Sequence, residues 1–298
     1  MNTAWQRLPE RSSPFWLGTI AWIALHLGSS LVRVLLYPIT GYFVVFRNAT
    51  LPATRRYLRR ALNREPRWND LFRLYHTFAC TLVDRLYVLA GRDDRLQLDL
   101  HGLEVLERHA ASGLGCLLVG SHLGSFEIIR ALGRTRRGLR VKALMDVEAT
   151  PQIAALYRSL NPALHEDIIP VGRPGALVGL DRFTAAGGML ALLGDRCLPG
   201  DKRVACDFLG EPAWFPQTPA SLAQVLRVPM VLFVCLHSGW GRYALHFEEL
   251  AEDRPVPRAD REAEAGRIMQ RYAGRLAHYA RQAPYNWFNF HDVWQRDE

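Results

Sequence analysis

The stretch Gly113–Arg130, GLGCLLVGSHLGSFEIIR, constrains this chain more than any other. Cys116-Leu117-Leu118-Val119 is an apolar run of the length expected for a strand buried on both faces. Gly120-Ser121 breaks the run and leaves His122 where the strand ends. Leu123-Gly124-Ser125 reads as a turn into a helix, with Ser125 as N-cap and Phe126-Glu127-Ile128-Ile129 as the first helical turn. His122 and Glu127 then flank one strand-to-helix turn, within reach of each other as imidazole and carboxylate. Free N–H groups at the helix start would face whatever His122 acts on.

Spacing alone carries little of this. With 10 His and 29 acids in 298 residues, about one His-x4-Glu pair arises by chance. The context supplies what spacing lacks: a buried strand, small flanking residues and a helix start suit a general base whose carboxylate partner fixes the tautomer. A capped histidine that only buttresses the turn is the structural alternative. Gly120-Ser121-His122-Leu123-Gly124 has the outline of a nucleophile elbow, but its centre is His and no Gly-x-Ser-x-Gly occurs elsewhere. Neither GxGxxG at a βα turn nor GxxxxGK is present, which argues against dinucleotide and nucleoside-triphosphate chemistry.

Downstream of Leu96 the pattern alternates strand and helix. Strands are expected at Leu96–His101, Cys116–Gly120, Arg140–Met145, Ile168–Val171, Met189–Leu193, Met230–His237 and Tyr243–Phe247. Helices are expected at Leu103–Ala110, Pro151–Leu160, Pro174–Ala186, Thr218–Leu226 and Arg261–Gln282, with a loop or hairpin over Pro199–Pro216. This is an α/β pattern: a mixed, largely parallel sheet flanked by helices. Ligands in such folds bind at the carboxyl ends of strands, where His122, Arg173 and Asp195 fall.

The N-terminal third reads differently. Phe15–Phe46 is mostly apolar, interrupted by His26, Arg33 and Pro38, and no small-residue cleavage site follows it. Trp16–Leu36 is about the ~20 residues that cross a bilayer, but a helix lying in the interface fits equally, and a buried helical hairpin is a third option. A basic belt follows (Arg47, Arg55, Arg56, Arg59, Arg60, Arg64, Arg67, Arg73), which reads either as a lipid-facing flank or as a solvated helix face. Leu71–Leu89 has helical spacing. The expected organisation is a membrane-associating helical region over residues 1–92 and an α/β domain over 93–298. The net charge of +8 points to an acidic partner, although Lys142 and Lys202 are the only lysines and so marked an Arg bias also has a coding origin. Aromatic residues do not interleave with the Arg belt, so nucleic acid is not an expected partner. The five cysteines form no Cys-x-x-Cys and pair with no His at metal spacing, which fits buried thiols in a reducing compartment.

Ser121-His122-Leu123-Gly124-Ser125-Phe126-Glu127 resembles the His-x4-Asp/Glu motif of the lysophospholipid acyltransferase superfamily. Within it, the chain is most similar to the late acyltransferases of lipid A biosynthesis. Ile168-Ile169-Pro170-Val171-Gly172-Arg173, Leu193-Gly194-Asp195-Arg196 and Val228-Pro229-Met230-Val231 resemble the superfamily's later blocks, in order. Glu10–Trp16 and Ala283-Pro284-Tyr285-Asn286-Trp287-Phe288 resemble a subgroup of predicted acyltransferases that accompanies aryl-polyene-type lipid pathways. The His-Arg-Arg ending common in lipid A enzymes is missing, which separates this chain from them at the acceptor.

The resemblance implies a glycerolipid acyltransferase-like fold and an O-acyltransferase at the cytoplasmic face of the bacterial inner membrane. It would move a fatty acyl chain from an acyl carrier protein or acyl-CoA thioester, as co-substrate and with no other cofactor, to a hydroxyl of a membrane lipid. His122 would be the base and Glu127 its partner. Ser121, Gly124 and Ser125 would line the substrate, the amides of Gly124-Ser125 binding the oxyanion. Gly194, Asp195 and Arg196 would lie beside them, and Arg173 and Arg196 would hold phosphate or serve as ion-pair partners. Thr218, at a helix start, reads first as a cap. A non-catalytic lipid- or carrier-binding module and a thioesterase using the same base on water are the competing readings.

Overall fold

The structure, a computed structural model, describes residues 29–46, 49–92, 96–129, 139–145, 167–171, 175, 178–198 and 200–295. Among the described residues the first elements are the helices α1 (Ser29–Phe46), α2 (Leu51–Leu62) and α3 (Trp68–Leu89). Asp70 opens α3 by accepting the Arg67 backbone N–H at 2.7 Å, which places a carboxylate against the first-turn amides. Then follow β1 (Gln97–His101), α4 (Leu103–Ala111), β2 (Leu117–Gly120), β3 (Val141–Met145) and β4 (Ile168–Pro170). After them come α5 (Leu180–Ala185), β5 (Met189–Leu193), β6 (Arg203–Phe208), β7 (Glu211–Pro216) and α6 (Thr218–Leu226). The long strands β8 (Met230–Gly239) and β9 (Arg242–Ala251) and helix α7 (Arg261–Gln282) complete the series.

Seven strands form one sheet in the order β1-β9-β8-β2-β5-β3-β4. Every neighbouring pair is parallel except β8 with β9, which are joined as a hairpin. The expected mixed, largely parallel sheet is therefore what the chain builds. All four residues of β2 are buried, as its unbroken apolar run requires at a central position. Its side chains alternate: Leu117 and Val119 join the cluster with α7, while Cys116 and Leu118 join the one with Ile128 and Ile129. α7 meets the sheet with Ile268, Met269, Tyr272, Ala273, Leu276, Ala277 and Ala280, all buried at helical spacing.

Of the loop or hairpin expected over Pro199–Pro216, the chain builds an antiparallel hairpin, β6 with β7. The helix expected over Pro174–Ala186 is only α5, Leu180–Ala185, because Gly179 just before it takes a left-handed backbone (φ 83°) that ends the turn preceding the helix. The helix expected over Pro151–Leu160 lies outside the described residues, as do Glu10–Trp16 and the upstream half of the apolar segment. Among the described residues no single helix is long and apolar enough to cross a membrane.

α1 buries Val32, Leu36, Thr40 and Val44, one residue every turn, and Val32 and Leu36 pack on Cys80, Val83, Leu86 and Tyr87 of α3. Its other face leaves Val34 67%, Val45 65% and Phe46 72% exposed. Most arginines of the belt stay exposed, and several of them are held by acids or aromatic rings. Arg56 bonds Asp292, Arg60 pairs with Glu211, Arg64 with Asp70, and Arg55 and Arg73 cover Trp68 and Tyr285. These arginines fasten the helices to each other and to the C-terminal segment.

Candidate active site

The ends of β2 and β5 supply the site. These strands are parallel neighbours with Gly120 opposite Leu193, and Gly194 N–H continues the ladder to Gly120 O at 2.9 Å. Two residues further along both chains, His122 stands opposite Asp195. His122 Nδ1 lies 2.8 Å from Asp195 Oδ1, and the His122 backbone N–H donates to Asp195 Oδ2 at 2.9 Å. Trp287 Nε1–H donates to the same Oδ2 at 3.0 Å. Asp195 is fully buried.

The electrostatics assign the proton. Burial would raise the Asp195 carboxyl, but the His122 imidazole, its hydrogen bonds and Arg196 hold it well below the usual carboxylate range. Asp195 is therefore an anion that can only accept, and Nδ1 carries the hydrogen it receives. The imidazole is itself held below its ordinary 6.5, first by burial and then by the Arg196 charge, against the pull of Asp195. His122 is thus neutral near pH 7, with the Nε2 lone pair unprotonated and the side chain 21% exposed. A neutral imidazole oriented by a buried carboxylate is equipped to take a proton from a hydroxyl or from water.

The expected meeting of His122 with Glu127 is corrected. Glu127 is 2% exposed and pairs with the Arg85 guanidinium of α3, which lies over the Phe126 ring. Its charge reaches His122 through space and raises the imidazole pKa, but the hydrogen bond belongs to Asp195. The reason is local: Phe126-Glu127 form a turn, and helix begins only at Ile128, so the carboxylate is carried toward α3. Asp195, expected among the substrate-binding candidates, sits behind the imidazole with its oxygens on His122 and Trp287.

The expected oxyanion amides are corrected too. Gly124 N–H donates to Asn286 O at 2.8 Å and Ser125 N–H to Cys235 O at 3.0 Å, so both are committed to protein acceptors. Gly124 is held at φ 79°, and a Cβ there would stand 1.6 Å from Cys235 O. Glycine is required for this close crossing of two backbones. Ser121 is 3% exposed, and its Oγ accepts the Leu123 N–H at 3.2 Å, which closes the turn. Gly194 is pressed against Val119 and leaves no room for a side chain. Thr218 bonds Asp201 at 2.8 Å at the start of α6. Arg173 lies outside the described residues.

The C-terminal stretch that resembles the predicted-acyltransferase subgroup takes a place at the site that the sequence does not assign to it. The segment Asn286-Trp287-Phe288-Asn289 runs along the turn that carries His122, with Trp287 bridged to Leu123 and Phe288 N–H bonded to His122 O at 2.9 Å. Asn286 Oδ1 takes the His237 N–H at 2.8 Å and ties the segment to the end of β8. Arg196 donates from Nε to Asn289 Oδ1 at 3.0 Å and from a terminal nitrogen to Phe288 O at 3.1 Å. The alternation of amides and aromatics in that segment is the signal that marks it. The thiols of Cys116 and Cys206 are pushed up by burial, to about 12 and about 11, and are unsuited to nucleophilic attack. Among the described residues no group of three or more His, Cys, Asp or Glu is placed to hold a metal ion.

Fold and site together define an α/β enzyme with a buried His–Asp pair at the carboxyl edge of its sheet. The chain belongs to the bacterial lipid A biosynthesis acyltransferase family, whose model matches residues 2–296. The protein is accordingly an acyltransferase of lipid biosynthesis. A search of curated proteins found no match.

Proposed function

We propose that the protein is an O-acyltransferase that moves a fatty acyl chain from an acyl carrier protein thioester, or from acyl-CoA, to a hydroxyl of a membrane lipid. The observation that carries this reading is the 2.8 Å contact of His122 Nδ1 with buried Asp195, which leaves Nε2 as a base at the site's open edge. The acceptor hydroxyl gives its proton to Nε2 as its oxygen attacks the thioester carbonyl. The tetrahedral intermediate collapses to ester and thiolate, and the imidazolium returns the proton to the thiolate. No acyl-enzyme is needed. Asp195 stabilises the imidazolium, while Glu127 and Arg85 hold the turn that carries it. Arg196, and Arg173 from outside the described residues, are proposed as substrate contacts, and the net charge of +8 favours an acidic donor carrier.

A positioned base contributes roughly 10²–10⁴-fold. His122→Ala should therefore lower transfer from acyl carrier protein to extracted inner-membrane lipid by about that factor, with the melting curve unchanged. Near-wild-type transfer by the folded variant ends the mechanism. Free fatty acid in place of acylated lipid, with acceptor present, decides for a thioesterase.

The reading sets the reaction at the cytoplasmic face of the inner membrane, where acyl thioesters are made. The apolar outer face of α1 supports membrane contact, because Val34, Val45 and Phe46 would otherwise expose apolar surface to water. Replacing Val45 and Phe46 by Asp removes ~1.5–3 kcal/mol of burial per side chain. Binding to anionic lipid vesicles should then weaken at least tenfold by sedimentation, and unchanged binding refutes this contact.

A further inference from the structure

The site as described has a base but no donor for the oxyanion. Negative charge grows on the thioester oxygen when the hydroxyl attacks, and preorganised N–H groups near that oxygen are a large part of catalysis in acyl transfer. The backbone amides of Gly124 and Ser125 are spent on Asn286 O and Cys235 O. The N–H groups of His122 and Trp287 are spent on Asp195.

One neighbouring donor is unspent. Asn289 is 3% exposed; its Oδ1 receives Arg196 Nε–H at 3.0 Å, while its Nδ2 is buried without a hydrogen-bond partner. A buried amide donor left unpaired costs about 1–3 kcal/mol, so native proteins seldom keep one without a use. Oδ1 and Nδ2 belong to one planar amide, so the unpaired Nδ2–H₂ sits next to the oxygen that the Arg196 guanidinium holds. The segment is tied to the turn that carries the base: Phe288 N–H, one residue earlier, donates to the His122 backbone O, and the Arg196 charge reaches the imidazole. His291 borders the same region. Its Nδ1 is also buried without a partner, and its ring feels the charges of Arg196, Asp195 and His122.

We propose that the Asn289 carboxamide Nδ2–H₂, set beside the Arg196 guanidinium, is the oxyanion donor of this acyltransferase, supplied by the C-terminal segment instead of the helix that follows the His-x4-Glu turn. The proposal rests on the acyl-transfer reading above. In the first step the acceptor oxygen bonds to the carbonyl carbon, the carbonyl π pair moves to oxygen, and His122 Nε2 takes the proton. Asn289 donates to that oxygen. In the second step the pair returns, the C–S bond breaks, and the thiolate takes the proton from the imidazolium. The charges agree with an oxyanion more than with a resident anion: Asp195 is matched by Arg196, so the negative charge formed on oxygen is balanced by the imidazolium formed in the same step.

Two variants test it. Asn289→Asp keeps an oxygen for Arg196 Nε but removes the donor; Asn289→Leu, of similar size, removes both. Each full-length variant is assayed with long-chain acyl carrier protein and extracted inner-membrane lipid, and its affinity is measured for an unreactive S-alkyl thioether of the same carrier. Both variants should lose roughly 10²–10³ in kcat, with thioether affinity within about threefold of wild type. If Asn289→Asp stays active, Asn289 only holds Arg196 and the proposal is overturned. An active Asn289→Leu overturns it as well, since the loss in Asn289→Asp would then come from charge. A fall in thioether affinity that equals the fall in kcat overturns it too, as ground-state binding. A wild-type protein that transfers no acyl chain overturns the reaction itself, and the proposal with it.

Discussion

Two buried carboxylates serve the same turn, and they serve different partners. Asp195, at the end of β5, accepts from the His122 backbone, the His122 ring and the Trp287 indole. Glu127, five residues after His122, pairs with Arg85 of α3. Asp195 is delivered by sheet register, because β2 and β5 are parallel neighbours and the two residues stand level beyond the strand ends. Glu127 is delivered by the turn itself, which carries its carboxylate to Arg85 of α3. Sheet register aims a carboxylate at an imidazole more rigidly than a turn does, since the ladder fixes both backbones. On the proposed reading, proton chemistry belongs to the sheet and anchoring to the turn.

The largest expected effect falls on the sheet side. Asp195→Asn keeps the shape but removes the anion that fixes the tautomer and opposes the imidazolium, a change worth roughly 10⁴ in kcat where such a carboxylate has been replaced in other His-dependent enzymes. The pH dependence sharpens this. The base must be neutral, and its pKa lies below the ordinary 6.5, so kcat/KM should be flat above that pH and fall below it. Asp195 raises the imidazole pKa, so the residual activity of Asp195→Asn should keep its plateau to lower pH than wild type. A limb that moves to higher pH, or a loss of less than tenfold, means that Asp195 is not the partner of the working imidazole.

Much of the sheet side could be read from residues, but its key contact could not. Short, leucine-rich apolar runs locate β2 and β5 closely, and small residues after β2 mark His122 as the end of a strand. Asp195 was placed at a strand end for the same reason. What sequence withholds is that β2 and β5 are neighbours, since β3, β4 and α5 intervene along the chain. Strand order is a tertiary property, so the partner nearest in sequence, Glu127, drew the expectation. The oxyanion amides failed in a similar way: a helix start offers free N–H groups only if no backbone crosses it, and Cys235 and Asn286 do. The arginine belt is legible as charge but only in part as structure: Asp70, which holds Arg64, lies within it, while Glu211 and Asp292, which hold Arg60 and Arg56, lie far along the chain.

The smaller effect, on the turn side, distinguishes anchoring from catalysis. Glu127→Gln keeps the volume and removes the charge that faces Arg85. Removing one member of a buried ion pair costs ~3–5 kcal/mol, chiefly through the desolvated partner left behind. The variant should therefore melt several degrees lower, while kcat at a temperature where it is folded stays within about tenfold of wild type. Replacing both members, with Arg85→Met and Glu127→Leu together, removes the unmatched charge and should recover most of the lost stability. If folded Glu127→Gln instead loses as much kcat as Asp195→Asn, with the same displacement of the acidic limb, Glu127 acts on the imidazole during turnover and the division between sheet and turn fails. If stability falls further in the double variant than in the single one, the Arg85–Glu127 pair contributes net stability beyond its role as anchor.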